Sequence, residues 1–361
     1  MSGGSACGFE LQRGDRVLVT GAAGFIGSAV TRALLERGAE VAAMAEPAAY
    51  TANLDGLDVE VLRADVRDPD TLRKAVAGSR FVVHAAALYR FWARRAEDFY
   101  DVNVAGTLNV LAAAAAAGCE RVCYTSTVGT IGLEGTASGV PAAESSYARI
   151  AHLFGHYKAS KYVAEHEVLR RAAEGLAVVL VQPTLPVGPR DRAPTPTGRI
   201  VVDFLNGRLP AFVDTSLNVV DVDDLATGHL LALERGAQGR SYILGGENLS
   251  FRAILDVLAQ ETCLPRARFR LPPGLALGVA RASELVEGRL LRRAPSVPLE
   301  AALMATTKMI YTDARARAEL GYSSRPARQA LSRSARWFAE NGYVAHRRLA
   351  RITWPDAARP A

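Results

Sequence analysis

Tyr157 and Lys161 stand four residues apart in Tyr157-Lys158-Ala159-Ser160-Lys161. On a helix, residues at that spacing share a face. A free phenol loses its proton near a pKa of about 10. An ammonium beside it favours the phenolate and draws that pKa toward neutrality. Tyrosine then becomes usable as a general acid or base toward a hydroxyl or carbonyl. Lysine occurs only at 74, 158, 161 and 308, and the other basic residues are arginines. An ammonium on a flexible stem at 161 therefore looks selected. A third contributor is Tyr124-Thr125-Ser126-Thr127, whose hydroxyls could align the reacting oxygen. The plain alternative is a set of hydroxyls that caps a turn. Far upstream, Gly21-x-x-Gly24-x-x-Gly27 follows the apolar run Val17-Leu18-Val19. Glycines there remove side chains where a tight turn and a close phosphate are needed. The free N–H groups and positive dipole end of the next helix favour a pyrophosphate.

These groups meet only if strands and helices bring them to one edge of a sheet. Apolar runs over 17–20, 40–45, 58–63, 80–84, 121–125 and 176–181 read as buried parallel strands, the last broken by Gln182-Pro183. Helical patterns fill 25–37, 69–77, 97–117 and 156–173. Asp68 before Pro69 predicts an N-cap. Six consecutive alanines end the third of these helices before Gly118. Such alternation implies a doubly wound parallel sheet with its ligand crevice at the carboxyl ends of the strands. Prolines at 183, 186, 189, 194 and 196 then predict a long irregular loop across that mouth. Beyond it, helices are expected over 200–207, 223–233, 251–262, 272–291 and 327–342, with short strands at 219–221 and 241–244.

The chain has 361 residues and a formal charge of +6. Its length suits one large or two joined domains. No apolar run approaches the ~20 residues of a membrane helix, and no signal-peptide core stands at the N-terminus. A cytoplasmic protein is expected. The arginine excess comes with no nucleic-acid motif, so no nucleic-acid partner is expected. The four cysteines, at 7, 119, 123 and 263, have no metal spacing, and Cys119 and Cys123 read as core thiols.

Taken together, the glycine turn, Asp65, His84-Ala85-Ala86-Ala87, Asn103-Val104-Ala105-Gly106-Thr107, Thr125-Ser126-Thr127 and Tyr157-x-x-x-Lys161 resemble the extended short-chain dehydrogenase/reductases. The resemblance spans about 15–343. Within that group the chain is similar to the dihydroflavonol-reductase-like branch and to hopanoid-associated sugar epimerases. That likeness rests on residues 87–94, His156-Tyr157-Lys158, Gly188-Pro189-Arg190-Asp191, residues 194–199 and Tyr242-Ile243-Leu244-Gly245-Gly246-Glu247.

The resemblance implies an α/β fold of Rossmann type, a doubly wound parallel sheet with a smaller C-terminal α/β substrate lobe. Residues 1–14 read as a disordered lead. Residues 15–184, with about 217–245, read as the NAD-binding domain, 185–216 and 246–342 as the substrate lobe, and 343–361 as a basic tail. Thr127 is the implied triad hydroxyl, with Ser126 in reserve. Tyr157 is the acid/base and Lys161 its partner, and a positive nicotinamide would further favour the phenolate. Gly21, Gly24, Phe25, Ile26 and Gly27 would hold the pyrophosphate. Asp65 and Val66 would border the adenine, and Ala85, Ala86 and Ala87 would run along the cofactor. Asn103 would lie near the active site, and Pro183 and Thr184 near the carboxamide. Tyr89, Trp92, Ser126, Gln182 and Arg199 are the substrate-side candidates. For Tyr89 and Trp92, aromatic core packing is an equal alternative.

Three positions depart from the group's pattern. Threonine replaces serine at 127, which narrows the rotamers. Gln182 replaces an asparagine, and Ala45-Glu46 replaces an arginine after the second strand. A carboxylate at Glu46 would repel a 2′-phosphate and could accept hydrogen bonds from a ribose. NAD is therefore the expected cofactor, with NADP the alternative. The expected reaction is epimerisation of a sugar, sugar nucleotide or lipid-linked substrate through a keto intermediate. The rivals are a net reductase or dehydrogenase of dihydroflavonol or hydroxysteroid type, and a silent nucleotide-binding regulator. The resemblance also implies pairing of two copies through helices 97–117 and 156–173. The basic, amphipathic stretch 272–291 is either a lid or a membrane-surface contact.

Overall fold

The computed structural model describes residues 9–355, apart from 147, 150–152, 292 and 305. Its strands are β1 (Arg16–Thr20), β2 (Glu40–Ala45), β3 (Glu60–Arg63), β4 (Phe81–His84), β5 (Arg121–Thr125), β6 (Val178–Pro183), β7 (Leu185–Val187), β8 (Ala211–Phe212), β9 (Ser216–Asp221), β10 (Ser241–Leu244), β11 (Glu247–Ser250) and β12 (Phe269–Arg270). The helices of the first half are α1 (Phe25–Glu36), α2 (Pro69–Val76), α3 (Glu97–Tyr100), α4 (Gly106–Ala116) and α5 (His156–Ala173). Those of the second half are α6 (Pro196–Leu205), α7 (Val222–Arg235), α8 (Phe251–Thr262), α9 (Pro273–Ser283), α10 (Leu299–Met304), α11 (Ala314–Leu320), α12 (Ala327–Glu340) and α13 (His346–Leu349).

Seven strands form the central sheet in the order β10-β6-β5-β4-β1-β2-β3, all parallel. The order reverses beside β1, which opens the crevice at the carboxyl ends of β1 and β4. Val17, Val19, Phe81 and Val83 pack under α1, α7 and α11. Leu18, Val82, Val122 and Tyr124 pack on the other face with α2, α4 and α5. Alternate side chains thus feed two apolar cores, which is why these strands read as unbroken apolar runs. His84 ties the crevice together. Its Nδ1 lies 2.7 Å from Thr20 Oγ1 and its Nε2 3.0 Å from Thr107 Oγ1. Burial holds it neutral, with its pKa down at about 3.

Several expectations are corrected. The helix expected over 97–117 holds a π-helical turn at Asp101–Ala105 between α3 and α4. β6 runs through Gln182 and Pro183 instead of stopping before them, because both pair with β10. The proline-rich mouth contains β7, and α6 starts at Pro196 because Thr195 Oγ1 caps it by accepting from Gly198 N at 3.1 Å. β9 pairs with β7 and β11 in a separate small sheet, not in the central one. Its Leu217 and Val219 pack with the lobe of α6, α8 and α12, while Val220 faces the central core. The stretch expected as one helix over 272–291 is α9 followed by a π-helical turn at Glu284–Leu290.

The described parts of the expected lead and tail, from residue 9 and up to residue 355, pack onto the fold, while 1–8 and 356–361 lie outside the described residues. Phe9 N donates to Glu234 O at 2.8 Å, and its ring meets Phe81 edge-on under the Arg121 guanidinium. At the other end, Asn206 holds Tyr343 O and Ala345 N, and Thr353 N donates to Thr262 O. Trp354 joins the lobe's apolar cluster under the Arg336 guanidinium. Cys123 is buried, Cys119 half-buried and Cys263 exposed, while Cys7 lies outside the described residues.

Candidate active site

The glycine turn is built for close approach. Gly21 has φ +68°, and a Cβ there would lie 2.8 Å from the Ala86 backbone. A Cβ on Gly27 would lie 2.1 Å from Gly21 O. Gly24 caps α1 without a side-chain hydrogen bond. The first-turn N–H groups of Phe25, Ile26 and Gly27 therefore have no intrahelical acceptor and face the crevice end of β1. Ala85 N and Ala86 N are tied to Thr20 O and Oγ1, each at 3.2 Å. Ala87, Glu46, Asp65 and Val66 follow the carboxyl ends of β4, β2 and β3. Glu46 is exposed. Asp65 is held by Arg67, whose hydrogen bonds keep its carboxyl below the usual range. This cradle fits a dinucleotide pyrophosphate: only glycine can occupy the turn, and donors stand free beside it.

A cavity of about 360 Å³ lies beyond β5 and β6, lined in part by Thr127, Tyr157, Lys158 and Thr184. Tyr157 stands on the first turn of α5 and is hydrogen-bonded to Thr127. Thr127 caps the short turn after β5 by accepting from Gly129 N at 3.1 Å. The Tyr89 ring lies 4.8 Å from that of Tyr157, so Tyr89 walls the site. Phe91, not Trp92, lines the cavity beside it. Thr184 Oγ1 is buried and unpartnered at the cavity wall, a donor available to an incoming carboxamide.

Lys161 is 2 % exposed. Its Nζ donates to Tyr124 OH and Thr125 O, both at 2.8 Å. Burial brings its pKa down to about 7, against the attraction of Glu165. The Tyr157 phenol is pushed up by burial, and Glu300 adds to the rise while the Thr127 hydrogen bond opposes it. The expected lowering is therefore not a property of this chain alone. Desolvation dominates at Tyr157, and the Lys161 amine is engaged instead by Tyr124 and Thr125.

Ser126, Gln182, Arg199 and Trp92 do not line the cavity, and Asn103 is engaged beside it. Ser126 Oγ donates to the buried Glu165, which also accepts from Thr130 Oγ1 at 2.9 Å and Gln182 Nε2 at 3.1 Å. Ser126 and Gln182 thus serve an interior network. Arg199 is exposed on α6 and, like Trp92, does not line the cavity. Asn103 does not present its amide to the crevice. It spans Leu88 N and O (2.7 and 3.3 Å) and Ser160 Oγ (2.9 Å), locking the segment after β4 to α5. The sequence reading missed Glu165, Glu300 and most of the apolar wall. The rarity of lysine was the one signal that marked Lys158.

The chain is similar to known proteins over most of its length. The chain is 41% identical over 334 residues to a Synechocystis sp. protein that carries the provisional name dihydroflavonol 4-reductase; the match covers 91% of this chain and 96% of that one. It is 34% identical over 331 residues to Sterol demethylase protein B of Methylococcus capsulatus, covering 91% and 99%. The crystal structure of gox2253 superposes with a TM-score of 0.81 at 41% identity, covering 92% of this chain and all of that one. The family model described as NAD dependent epimerase/dehydratase matches residues 17–245, and the chain belongs to that family of oxidoreductase enzymes.

Proposed function

We propose that this enzyme interconverts a ketone and a secondary alcohol on a largely apolar skeleton, as a net reductase or dehydrogenase with NAD. One observation carries the reading. The cavity that reaches Tyr157 is walled by Leu133, Leu153, Leu303, Met304 and similar side chains, and Lys158 is the one lysine or arginine among its described lining residues. A sugar nucleotide would bring a diphosphate that calls for several cationic or N–H donors. An apolar ring or chain calls for the wall that is present. The relatives named as a dihydroflavonol reductase and a sterol demethylase component support the same class. Exposed Glu46 at the end of β2 supports NAD over NADP.

The cofactor, when bound, would supply a hydride as NADH in reduction and accept one as NAD+ in oxidation. Tyr157 gives its proton to the carbonyl oxygen in reduction and takes it from the hydroxyl in oxidation, while Thr127 hydrogen-bonds the same oxygen. Lys161, on the same buried face of α5 as Tyr157, fixes the end of β5. Thr184 would meet the nicotinamide carboxamide, and the Gly21–Gly27 turn would hold the pyrophosphate in the middle of the cofactor.

The sugar-epimerase reading uses the same three residues but returns the hydride to the same substrate. The test is stoichiometry. Reduction of a ketone should consume one NADH per product. Isomerisation without net change in NADH would replace this reading with the epimerase one.

The same reading assigns two surfaces. α4 and α5 lie together on one sheet face and expose Ala112, Ala115, Ala116 and Val163, a face suited to a second copy of the chain. α9 and the turn after it expose Leu275, Val279, Leu285, Val286 and Leu290 beside Arg281 and Arg289, a face suited to an anionic lipid surface. No helix among the described residues is long and apolar enough to cross a membrane.

A further inference from the structure

Glu300 is the least expected group in the cavity. It stands on α10, far in sequence from Thr127 and Tyr157, yet lines the same space with Tyr157 and Lys158. It is only 6 % exposed, and both carboxyl oxygens are buried without a hydrogen-bond partner on the protein. Buried acceptors are normally paired, because an unpaired one forfeits its hydration with no return. The backbone makes room for this carboxyl. Gly155 caps α5 with φ +84°, and a Cβ there would lie 1.9 Å from Glu300 Oε2. Lys158 is the charged neighbour that favours Glu300 ionisation, and burial opposes it. The Glu300 charge is also felt at the Tyr157 phenol, so the carboxyl sits close to the proposed reacting centre.

We propose that Glu300 and Lys158 together bind a second polar group of the substrate, a neutral hydroxyl near the reacting carbon. The pair selects that group by its chemistry. A hydroxyl donates to a carboxylate and accepts from an ammonium at once. A substrate phosphate or carboxylate would suit Lys158 but meet Glu300 as a like charge. A substrate ammonium would meet Lys158 in the same way. With the remaining wall mostly apolar, this pair fixes which way round a ketone enters. The inference rests on the ketone/alcohol reading of the cavity and deepens it to a hydroxyketone or vicinal diol.

The test compares 1-tetralone with 2-hydroxy-1-tetralone, NADH present, in the wild-type enzyme and in E300A, E300Q and K158Q. The wild type should favour the hydroxylated ketone in kcat/KM by roughly tenfold or more, mainly through KM, the factor one hydrogen bond to a charged group supplies. E300A should bring that preference close to unity by losing on the hydroxylated ketone alone. E300Q should retain part of it, because its amide oxygen still accepts, and K158Q reports on the pair should E300A fold poorly. Equal losses on both ketones in E300A and K158Q would make Glu300 a structural carboxyl satisfied by solvent, and the proposal falls while the ketone reading stands. No turnover of either ketone by the wild type would overturn the ketone reading and this inference with it.

Discussion

Tyr157 and Lys161 share one buried helix face, and burial drives both toward their neutral forms. A neutral phenol hydrogen-bonded to Thr127 is poised to give a proton to a carbonyl oxygen. Tyr157→Phe should therefore lower kcat by roughly a hundredfold or more, the usual share of a general acid, while the NAD dissociation constant stays within about twofold. Unchanged turnover would remove Tyr157 from the chemistry. Thr127→Ser should stay active, because the hydroxyl is retained, and Thr127→Ala should not. The same buried groups make stability depend on pH. The Glu300 carboxyl is raised to about 7 from its ordinary 4.5. Between those values the folded chain holds a proton that the unfolded chain releases, so the Glu300 contribution is complete below about 4.5 and lost as pH rises through about 7. Asp191, raised to about 6, acts in the same direction. Lys161, lowered to about 7, acts oppositely, and its contribution grows from about 7 toward 10.5. From pH 5 to 7 the wild type should lose about 1–3 kcal/mol more of unfolding free energy than Glu300→Gln, measured by urea titration without cofactor. Parallel losses would show that Glu300 does not carry the shift.

At the scale of elements, the turn between β1 and α1 decides whether the cofactor has a seat. Gly27→Ala would drive a methyl into Gly21 O, a backbone atom that cannot step aside without moving the turn. The expected result is at least roughly tenfold weaker NAD binding by calorimetry, about 1.4 kcal/mol, together with a lower urea midpoint. Binding equal to wild type would mean that the pyrophosphate does not use this turn. The turn was legible in advance because glycine is the only residue that fits, and β1, β2, β4, β5 and β6 because strands covered on both faces need apolar side chains throughout; β3, expected as buried, is an edge strand and largely exposed. The π-helical turn at Asp101–Ala105 was not legible, since helical periodicity runs straight across it. Its reason is tertiary: it carries Asn103, which clamps Leu88 to Ser160. Ser126 and Gln182 were misread for a related reason. Their types suited a substrate, but the partner that claims them, Glu165, lies on another element. The short strands β7, β8, β11 and β12 span two to four residues, too few for a period, and are set by their neighbours.

Across the whole molecule, the apolar cavity and the exposed apolar face belong to adjoining parts. α10 carries Glu300 into the cavity wall and packs against α9. α9 and the turn after it leave Leu275, Leu285 and Leu290 more than half exposed. Glu287 ties that turn to the end of α9 through Ser283 Oγ and to the following loop through Ser296 N and Arg293. The face is therefore presented on a braced support. Leucines flanked by Arg281 and Arg289 match the boundary of an anionic bilayer, with the apolar side chains in the acyl region and the guanidinium groups among headgroups. A poorly soluble substrate would then enter the cavity from the surface that holds it. The full-length enzyme should co-sediment with phosphatidylserine-containing vesicles at low salt and much less at high salt, because screening weakens exposed charge attraction. Leu275→Asp with Leu285→Asp and Leu290→Asp should abolish sedimentation and leave turnover of a small water-soluble ketone near wild type, since none of the three residues lines the cavity. Failure to sediment at low salt would return this face to a plain solvent-exposed lid. Equal binding to neutral vesicles would leave the leucines their role and take the arginines out of it.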